Sequence, residues 1–136
     1  MSRFTLAALL ALGLAAPACS KSTTSPTTTT TTTTSYTDTF TGTLNRNGAT
    51  NFQFSVAAAG AVFATLTSVA DTTTADGLSL GMWNGTSCNV VLGNDAEMKA
   101  TTVTGSVTGV GTLCARVYDV GKVTNPLDYQ ISVVHP

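Results

Sequence analysis

Charged residues are scarce in this chain. Only 10% of its 136 residues are charged, the net charge is −1, and the pI is about 5.5. Without an excess of basic residues there is no positive field to gather phosphates, which excludes nucleic-acid binding. The longest apolar run is about a dozen residues at the N-terminus, short of the roughly 20 that a membrane-spanning helix needs. These values exclude a polytopic membrane protein.

Side chains that commonly carry out catalysis are equally few. The only histidine, His135, is one residue from the C-terminus, where an exposed, frayed position is expected. The only glutamate is Glu97. The sequence contains no H-E-x-x-H, no G-x-S-x-G and no glycine-rich phosphate loop, and it offers no partner base to a serine or cysteine nucleophile. The sequence therefore predicts a protein that is not an enzyme.

The N-terminus has the pattern of a secretory signal peptide, predicted to span residues 1–18. Arg3 gives a short positive region, residues 4–14 are apolar, and residues 15–18 are small. Cys19 follows directly, so the segment resembles the lipobox of bacterial lipoproteins, in which this cysteine receives a diacylglycerol and becomes the first residue. The resemblance implies lipidation of Cys19 and a membrane as partner. The alternative is ordinary secretion, because Ala16-Pro17-Ala18 also fits an A-x-A cleavage site.

The number of cysteines also favours lipidation of Cys19. Three cysteines leave one thiol over after any single disulfide. Lipidation of Cys19 removes the odd thiol and leaves Cys88 and Cys114 free to pair in an oxidising compartment. The alternation of apolar residues puts Cys88 on the core face of its predicted strand and Cys114 on the outer face. One strand must therefore shift phase, or the sulfur atoms must meet at an edge.

A threonine tract follows the cysteine. Residues 22–35 are nearly all threonine, with no charge and no large apolar side chain. Such a segment cannot offset the entropy lost on folding, so residues 19–35 are predicted to be a lipidated cysteine and a linker that lifts a domain off the lipid. The alternative is a glycosylated, mucin-like stalk. Ser20 differs from the aspartate that retains enterobacterial lipoproteins at the inner membrane, so export to the outer membrane is expected where one exists.

From residue 36 the composition changes. Apolar residues alternate with threonine, serine and glycine, and turn residues recur every eight to twelve positions. This spacing predicts an all-β domain over residues 36–136, an antiparallel sandwich of about eight strands without helices. Asn-Gly pairs at 47–48 and 84–85 mark tight turns. The stretch at 62–69, which includes Phe63, is predicted to be buried on both faces.

Two aromatic residues are candidate ligand contacts. Leu80 and Met82 alternate toward the predicted core, which places Trp83 on the outer face at the end of its strand. An exposed tryptophan can stack on a sugar ring, whereas the alternative is that the ring folds over the sandwich edge and covers core residues. Tyr118 is the other aromatic residue predicted to project outward.

Two polar loops hold candidate ligands for a calcium ion. Asp71 and Asp76 bracket the first loop, and Asn94, Asp95 and Glu97 lie in the second. Carboxylate oxygens together with backbone carbonyls form the kind of ligand shell that calcium prefers. Neither loop has the spacing of an EF-hand, and the alternative is a pair of solvated turns. We therefore predict no cofactor for this chain.

Three segments of the module share patterns with one known family. They are FQFSV at 52–56 followed by VFATL at 62–66, GTLCARVY at 111–118, and DYQISV at 128–133. The last two are similar to the G-T-Y-x-x-R-V and D-Y-x-L-x-V patterns of the bacterial pre-peptidase C-terminal domain, which residues 51–134 resemble. The resemblance implies a small, jelly-roll-like β-sandwich in an extracellular setting, and its motifs carry no catalytic residues.

The sequence thus predicts a non-catalytic protein of the bacterial cell envelope. A lipid would hold it on the membrane, and its β-sandwich would bind an envelope glycan or protein. The alternative is a structural or accessory module that spaces or stabilises a partner protein and has no small ligand of its own. Aromatic residues gathered at one rim would favour a glycan, because stacking supplies much of the contact with a sugar.

Overall fold

The computed structural model describes residues 34–97 and 99–136. The predicted signal peptide, Cys19 and most of the threonine tract lie outside these residues. No helix in the described part is long and apolar enough to span a bilayer. Eight strands form, as predicted: β1 (Tyr36–Leu44), β2 (Ala49–Val56), β3 (Gly60–Val69), β4 (Asp76–Trp83), β5 (Cys88–Glu97), β6 (Thr102–Val107), β7 (Gly111–Tyr118) and β8 (Leu127–His135).

The strands form two antiparallel, four-stranded sheets. The first sheet has the order β1-β8-β3-β6, and the second has the order β2-β7-β4-β5. The first strand pairs with the last, the second with the seventh, the third with the sixth and the fourth with the fifth. This nested pairing, a long hairpin rolled up from its β4–β5 tip, is a jelly roll. The predicted fold class is confirmed.

The connections between strands define two ends of the sandwich. The proximal end holds the start of β1 at Tyr36, the last residue of β8 at His135, and the connections at 57–59, 84–87 and 108–110. The distal end holds the connections at 45–48, 70–75, 98–101 and 119–126. The chain therefore enters the sandwich from its N-terminal segment at the proximal end.

Alternating side chains fill the space between the sheets. The pattern is clearest in β8, where every second residue from the first to the last is buried. Full burial of a side chain the size of valine or leucine contributes about 1.5–3 kcal/mol. The buried core consists of Leu44, Phe54, Val56, Val62, Ala64, Leu66, Val69, Leu78, Leu80, Val103, Ala115, Val117, Val123, Leu127, Tyr129, Ile131 and Val133.

Two predictions about individual strands are wrong. β3 is not buried on both faces, since Phe63 lies on the outer face of the first sheet with 41% of its surface exposed. Met82 follows Leu78 and Leu80 on the inner side of β4, yet it is 61% exposed. The reason is position, because Met82 lines an open depression at the proximal end together with Val91 and Val107.

Both Asn-Gly turns lie where they were predicted. Asn47 has a φ of 54°, and the amide of Gly48 donates a hydrogen bond to the carbonyl of Asn45 at 2.8 Å. In the second turn Gly85 has a φ of 100°, a conformation that glycine adopts without strain. The side-chain oxygen of Asn84 accepts the amide of Ser87 at 2.8 Å, which closes the β4–β5 hairpin.

Candidate functional site

The predicted disulfide is present in the second sheet. Cys88, the first residue of β5, is bonded to Cys114 in β7. Cys114 lies on the outer face, because Leu113 and Ala115 on either side of it pack toward the core. The register between β4 and β5 shifts between Leu80 and Gly81, so one extra residue of β5 is accommodated there. This bulge is the phase shift that the pairing requires.

A glycine makes the disulfide possible. In the second sheet β4 lies between β5 and β7, and Gly81 of β4 is the residue paired with Cys114. A Cβ atom on Gly81 would meet the backbone carbonyl of Asn89 more closely than real Cβ atoms approach any atom. The start of β5 therefore passes directly over Gly81, and Cys88 reaches across β4 because no side chain lies in its path.

Trp83 and Tyr118 do not form a common site. Trp83 is the last residue of β4, is half-buried, and lies at the proximal end. Tyr118 is the last residue of β7, and its ring lies against Gly77 at the other end of β4. Trp83 lies six positions along the extended strand from Gly77, a distance of about 20 Å. The two predicted aromatic contacts cannot stack on the same sugar ring.

Tyr118 is held in a polar network on the second sheet. Its hydroxyl donates a hydrogen bond to a carboxylate oxygen of Asp95, and the guanidinium of Arg116 lies 5.4 Å from the centre of its ring. Burial, together with this hydrogen bond and the charge of Asp95, raises the pKa of Tyr118 to about 12. These contacts fix the ring against the sheet and leave its hydroxyl already partnered.

Of the acidic residues weighed as calcium ligands, Asp76 of β4 is paired with Glu97 of β5, and the charge of Asp71 acts on Asp76. Among the described residues no three histidine, cysteine, aspartate or glutamate side chains converge as a metal site would require. Asp71 accepts hydrogen bonds from the hydroxyls of Thr73 at 2.7 Å and Thr74 at 2.5 Å, and these bonds lower the pKa of Asp71 to about 2. Asp95 accepts from Tyr118. Glu97 ends β5, and its side chain lies outside the described part.

Asp76 differs from the other acidic residues. It is the first residue of β4, is only 1% exposed, and neither of its carboxyl oxygens has a hydrogen-bond partner. Burial, followed by the charges of Asp119 and Asp71, raises the pKa of Asp76 from 3.8 to about 6. Asp119, in contrast, accepts backbone amides from Val123, Asn47 and two further residues, and these bonds lower its pKa to about 2.

The expectation of an exposed C-terminal histidine is wrong. His135 is 4% exposed, because it continues the inward alternation of β8 and its ring packs 5.1 Å from that of Phe54. Its Nε2 atom lies 3.1 Å from a carboxylate oxygen of Asp38. The amide of Ala57 donates to the carbonyl of Pro136 at 3.0 Å, so even the last residue is tied into the fold. Strand pairing up to this residue prevents the fraying that its position in the sequence indicated.

A hydroxyl-rich surface, which sequence reasoning missed, covers the outer face of the first sheet. In β1, Thr37, Thr39, Thr41 and Thr43 are exposed and alternate with inward-facing residues. Thr39, Thr41 and Thr43 pair with the polar residues Ser132, Gln130 and Asp128, whereas Thr37 pairs with Val134. The exposed Phe63 lies on the same face of the sheet, toward the proximal end. We call the polar residues of this face the hydroxyl face: Thr37, Thr39, Thr41, Thr43, Thr65, Thr67, Thr102, Thr104, Ser106, Asp128, Gln130 and Ser132. The signal in the sequence was the strict T-x-T-x-T-x-T spacing at 37–43.

Hydrogen bonds between strands order the hydroxyl face. The hydroxyl oxygens of Thr65 and Thr102 are 2.7 Å apart, and the hydroxyl of Thr43 donates to Asp128 at 2.6 Å. Thr67 donates to the backbone carbonyl of Gln130 at 3.1 Å. Toward the distal end the face deepens into a shallow cleft of about 460 Å³, lined by Thr41, Gly42, Thr43, Ser68, Ala70, Asp128, Tyr129 and Gln130.

A second depression differs from the hydroxyl face in chemistry. It lies at the proximal end between the edge strands β5 and β6 and has a volume of about 330 Å³. Its lining is uncharged and largely apolar, with Met82, Val91, Leu92, Val107 and Leu113 as the large side chains. We call this depression the edge groove.

Comparison of the chain with protein-family models finds no match, and no curated protein is significantly similar to it. The resemblances to lipoproteins and to the pre-peptidase C-terminal domain stay predictions. What the structure establishes is a jelly-roll sandwich with one disulfide, an ordered hydroxyl face and an apolar edge groove.

Proposed function

We propose that the protein is a non-catalytic module of the bacterial cell envelope, anchored through a lipid on Cys19, that binds a neutral envelope glycan through its hydroxyl face. The observation that supports this proposal is the row of four exposed threonines on β1, continued by polar residues on the neighbouring strands. Sugars present hydroxyl groups that both donate and accept, and threonine, aspartate and glutamine side chains complement them.

The geometry of the face suits an extended polymer. Successive threonines on β1 are about 6.8 Å apart, and neighbouring strands are about 4.8 Å apart. β-Branched side chains have restricted rotamers, so ordering them against a ligand costs little entropy. The cross-strand hydrogen bonds of Thr43 and Thr65 restrict these side chains further. A preorganised polar surface of this kind binds with less loss of freedom than a mobile one.

The low charge of the face bears on the choice of ligand. Asp128 is the only ionisable residue of the hydroxyl face as defined above, and its carboxylate already accepts a hydrogen bond from Thr43. No basic residue belongs to the face, so it lacks the groups that would pair with a phosphate or a carboxylate polymer. The ligand class that fits is therefore an uncharged polysaccharide.

The proposal is tested by pulldown of the exported protein with insoluble cell-wall polysaccharide. Thr39→Val and Thr41→Val together keep the shape and β propensity of the strand but remove two hydroxyls, and binding should fall about tenfold, as for the loss of about 1.4 kcal/mol. Thr112→Val is the matched control, since Thr112 is exposed on β7 in the other sheet.

Three further outcomes decide against the proposal in different ways. Equal binding by the double variant and the wild type would remove the hydroxyl face from the site. If Trp83→Ala abolishes binding and the double variant retains it, the glycan site lies at Trp83 and not on the hydroxyl face. If no glycan binds and a protein partner co-purifies in stoichiometric amount, the alternative of a structural or accessory module is favoured.

A further inference from the structure

We propose that the proximal end of the sandwich is a lipid-facing surface that rests on the bilayer to which the chain is anchored. The inference deepens the proposed function and rests on its lipid anchor. Within residues 34–97 and 99–136, the large apolar side chains that are exposed all lie in the proximal half of the sandwich. They are Tyr36, Phe63, Met82, Val90, Val91 and Val110.

Three of these side chains, Met82, Val91 and Val110, line the edge groove. Val91 is 70% exposed and Val110 is 78% exposed. Exposed apolar side chains gathered in one groove mark an interaction site rather than a surface adapted to water. Because the lining contains no charged residue, the occupant that fits is itself apolar and uncharged.

Charged residues are concentrated at the distal end of the sandwich and are absent from the proximal connections. The proximal connections at 57–59, 84–87 and 108–110 read Ala-Ala-Ala, Asn-Gly-Thr-Ser and Thr-Gly-Val, without a charged residue. Each distal connection carries at least one charged residue. These charged residues are Arg46, Asp71, Lys99, Asp119 and Lys122. Within the described strands the proximal half has one acidic residue, Asp38, and its carboxylate lies beside His135. The sandwich is thus apolar at one end and charged at the other.

The place where the chain enters the sandwich identifies the occupant of the apolar end. Tyr36 begins β1 at the proximal end, and 16 residues, 20–35, lie between it and Cys19. Even fully extended, these residues would span at most about 60 Å. A lipid on Cys19 would therefore hold the proximal end within reach of the bilayer, because the length of the threonine tract limits the largest separation and not the smallest. At the bilayer, apolar side chains gain by entering the interface and charged ones would lose. The distal part of the hydroxyl face, with the cleft lined by Thr41, Thr43 and Asp128, stays accessible in this orientation.

The single tryptophan of the chain allows a direct test on the intact lipoprotein. Trp83 ends β4 at the proximal end, beside Met82. The purified full-length protein is reconstituted into phosphatidylcholine vesicles, with or without bromine on the acyl chains, and fluorescence quenching by bromine reports proximity to lipid. The comparison protein carries Trp83→Phe and Lys122→Trp, which moves the fluorophore to an exposed distal position. We expect quenching of Trp83 to exceed that of the distal tryptophan at least about twofold.

A second variant tests the side chains themselves. Val91→Asn with Val110→Asn replaces two exposed residues, and it should reduce the quenching of Trp83 to the level of the distal tryptophan while the fold, followed by circular dichroism, is unchanged. Equal quenching at both ends in vesicle-bound protein would overturn the proposal. So would an unquenched Trp83 accompanied by disulfide cross-links between copies of a Val110→Cys variant, since the apolar end would then join two chains. Protein that does not float with the vesicles at all would instead contradict the lipid anchor of the proposed function.

Discussion

Cys88 and Cys114 form a disulfide between two strands that are not neighbours in their sheet, because β4 lies between them. Their Cα atoms are 5.7 Å apart, whereas two strand spacings amount to about 9.6 Å. The first residues of β5 therefore leave the plane of the sheet and cross the outer face of β4. The bond ties an edge strand to an inner strand at the proximal end, where the sheets are open.

Removal of this bond should destabilise the domain. The chain-entropy estimate for a loop closed over 26 residues is about 3 kcal/mol. Cys88→Ala with Cys114→Ala should lower the free energy of unfolding by that amount in urea titrations of the exported protein. Thiol titration of the unfolded, non-reduced wild type checks the pairing independently. Free thiols at both positions would show that the bond is not formed in the cell.

Gly81→Ala should destabilise the domain, although it adds only one methyl group. The added Cβ would collide with the carbonyl of Asn89, which is backbone and cannot rotate away. We expect a loss of about 1–3 kcal/mol, as for overpacking elsewhere, measured by thermal and urea unfolding. Gly109→Ala is the control, because nothing lies within 4 Å of the Cβ it would add. If both substitutions have the same effect, β5 does not cross β4 at Gly81.

Asp76 should make stability depend on pH between about 4 and 6. Its pKa is near 6 in the folded protein against an ordinary 3.8, so the folded state binds this proton more tightly than the unfolded state. The resulting stabilisation is complete below about pH 3.8 and is lost as the pH rises through 6, with an upper limit of about 3 kcal/mol. Above pH 6 the fold contains a buried, unpartnered carboxylate.

Asp76→Asn keeps the shape of the side chain and removes its ionisation. The variant should therefore be more stable than the wild type at pH 7.5, and the difference should shrink or reverse at pH 4.5, as followed by thermal unfolding at both values. Asp71→Asn is the contrasting variant, since the pKa of Asp71 is lowered and its stabilisation is lost only as the pH falls toward 2. A constant difference between Asp76→Asn and the wild type across this range would contradict the assignment.

Cys19→Ser should release the protein from the membrane into the soluble extracellular or periplasmic fraction, because no acyl chains then hold it on the bilayer. Cell fractionation followed by intact-mass measurement checks both the location and the modification. Ser20→Ala serves as the control and should remain in the membrane fraction. An unmodified wild-type protein whose first residue is Cys19 would show ordinary secretion instead.

Sequence alone was sufficient for the fold class. Alternation of apolar and polar residues specifies which face of each strand is buried, and the Asn-Gly pairs at 47–48 and 84–85 require turns, so both features are local. The pairing of Cys88 with Cys114 also followed, from counting thiols. The T-x-T-x-T-x-T spacing at 37–43 was equally visible, but its meaning depends on which polar residues lie opposite it, and register is not a local property.

Tertiary structure alone decided the rest, because it depends on which strands become neighbours and where each one ends. Met82 is exposed because it lines the edge groove, while His135 is buried because β8 stays paired to its last residue. A glycine is needed at position 81 because β5 crosses over it. Asp76 is buried because the first residue of β4 is already enclosed by the sandwich. The periodicity of the sequence predicts which side of a strand each residue occupies, but only the packing of the strands determines whether that residue is covered or exposed.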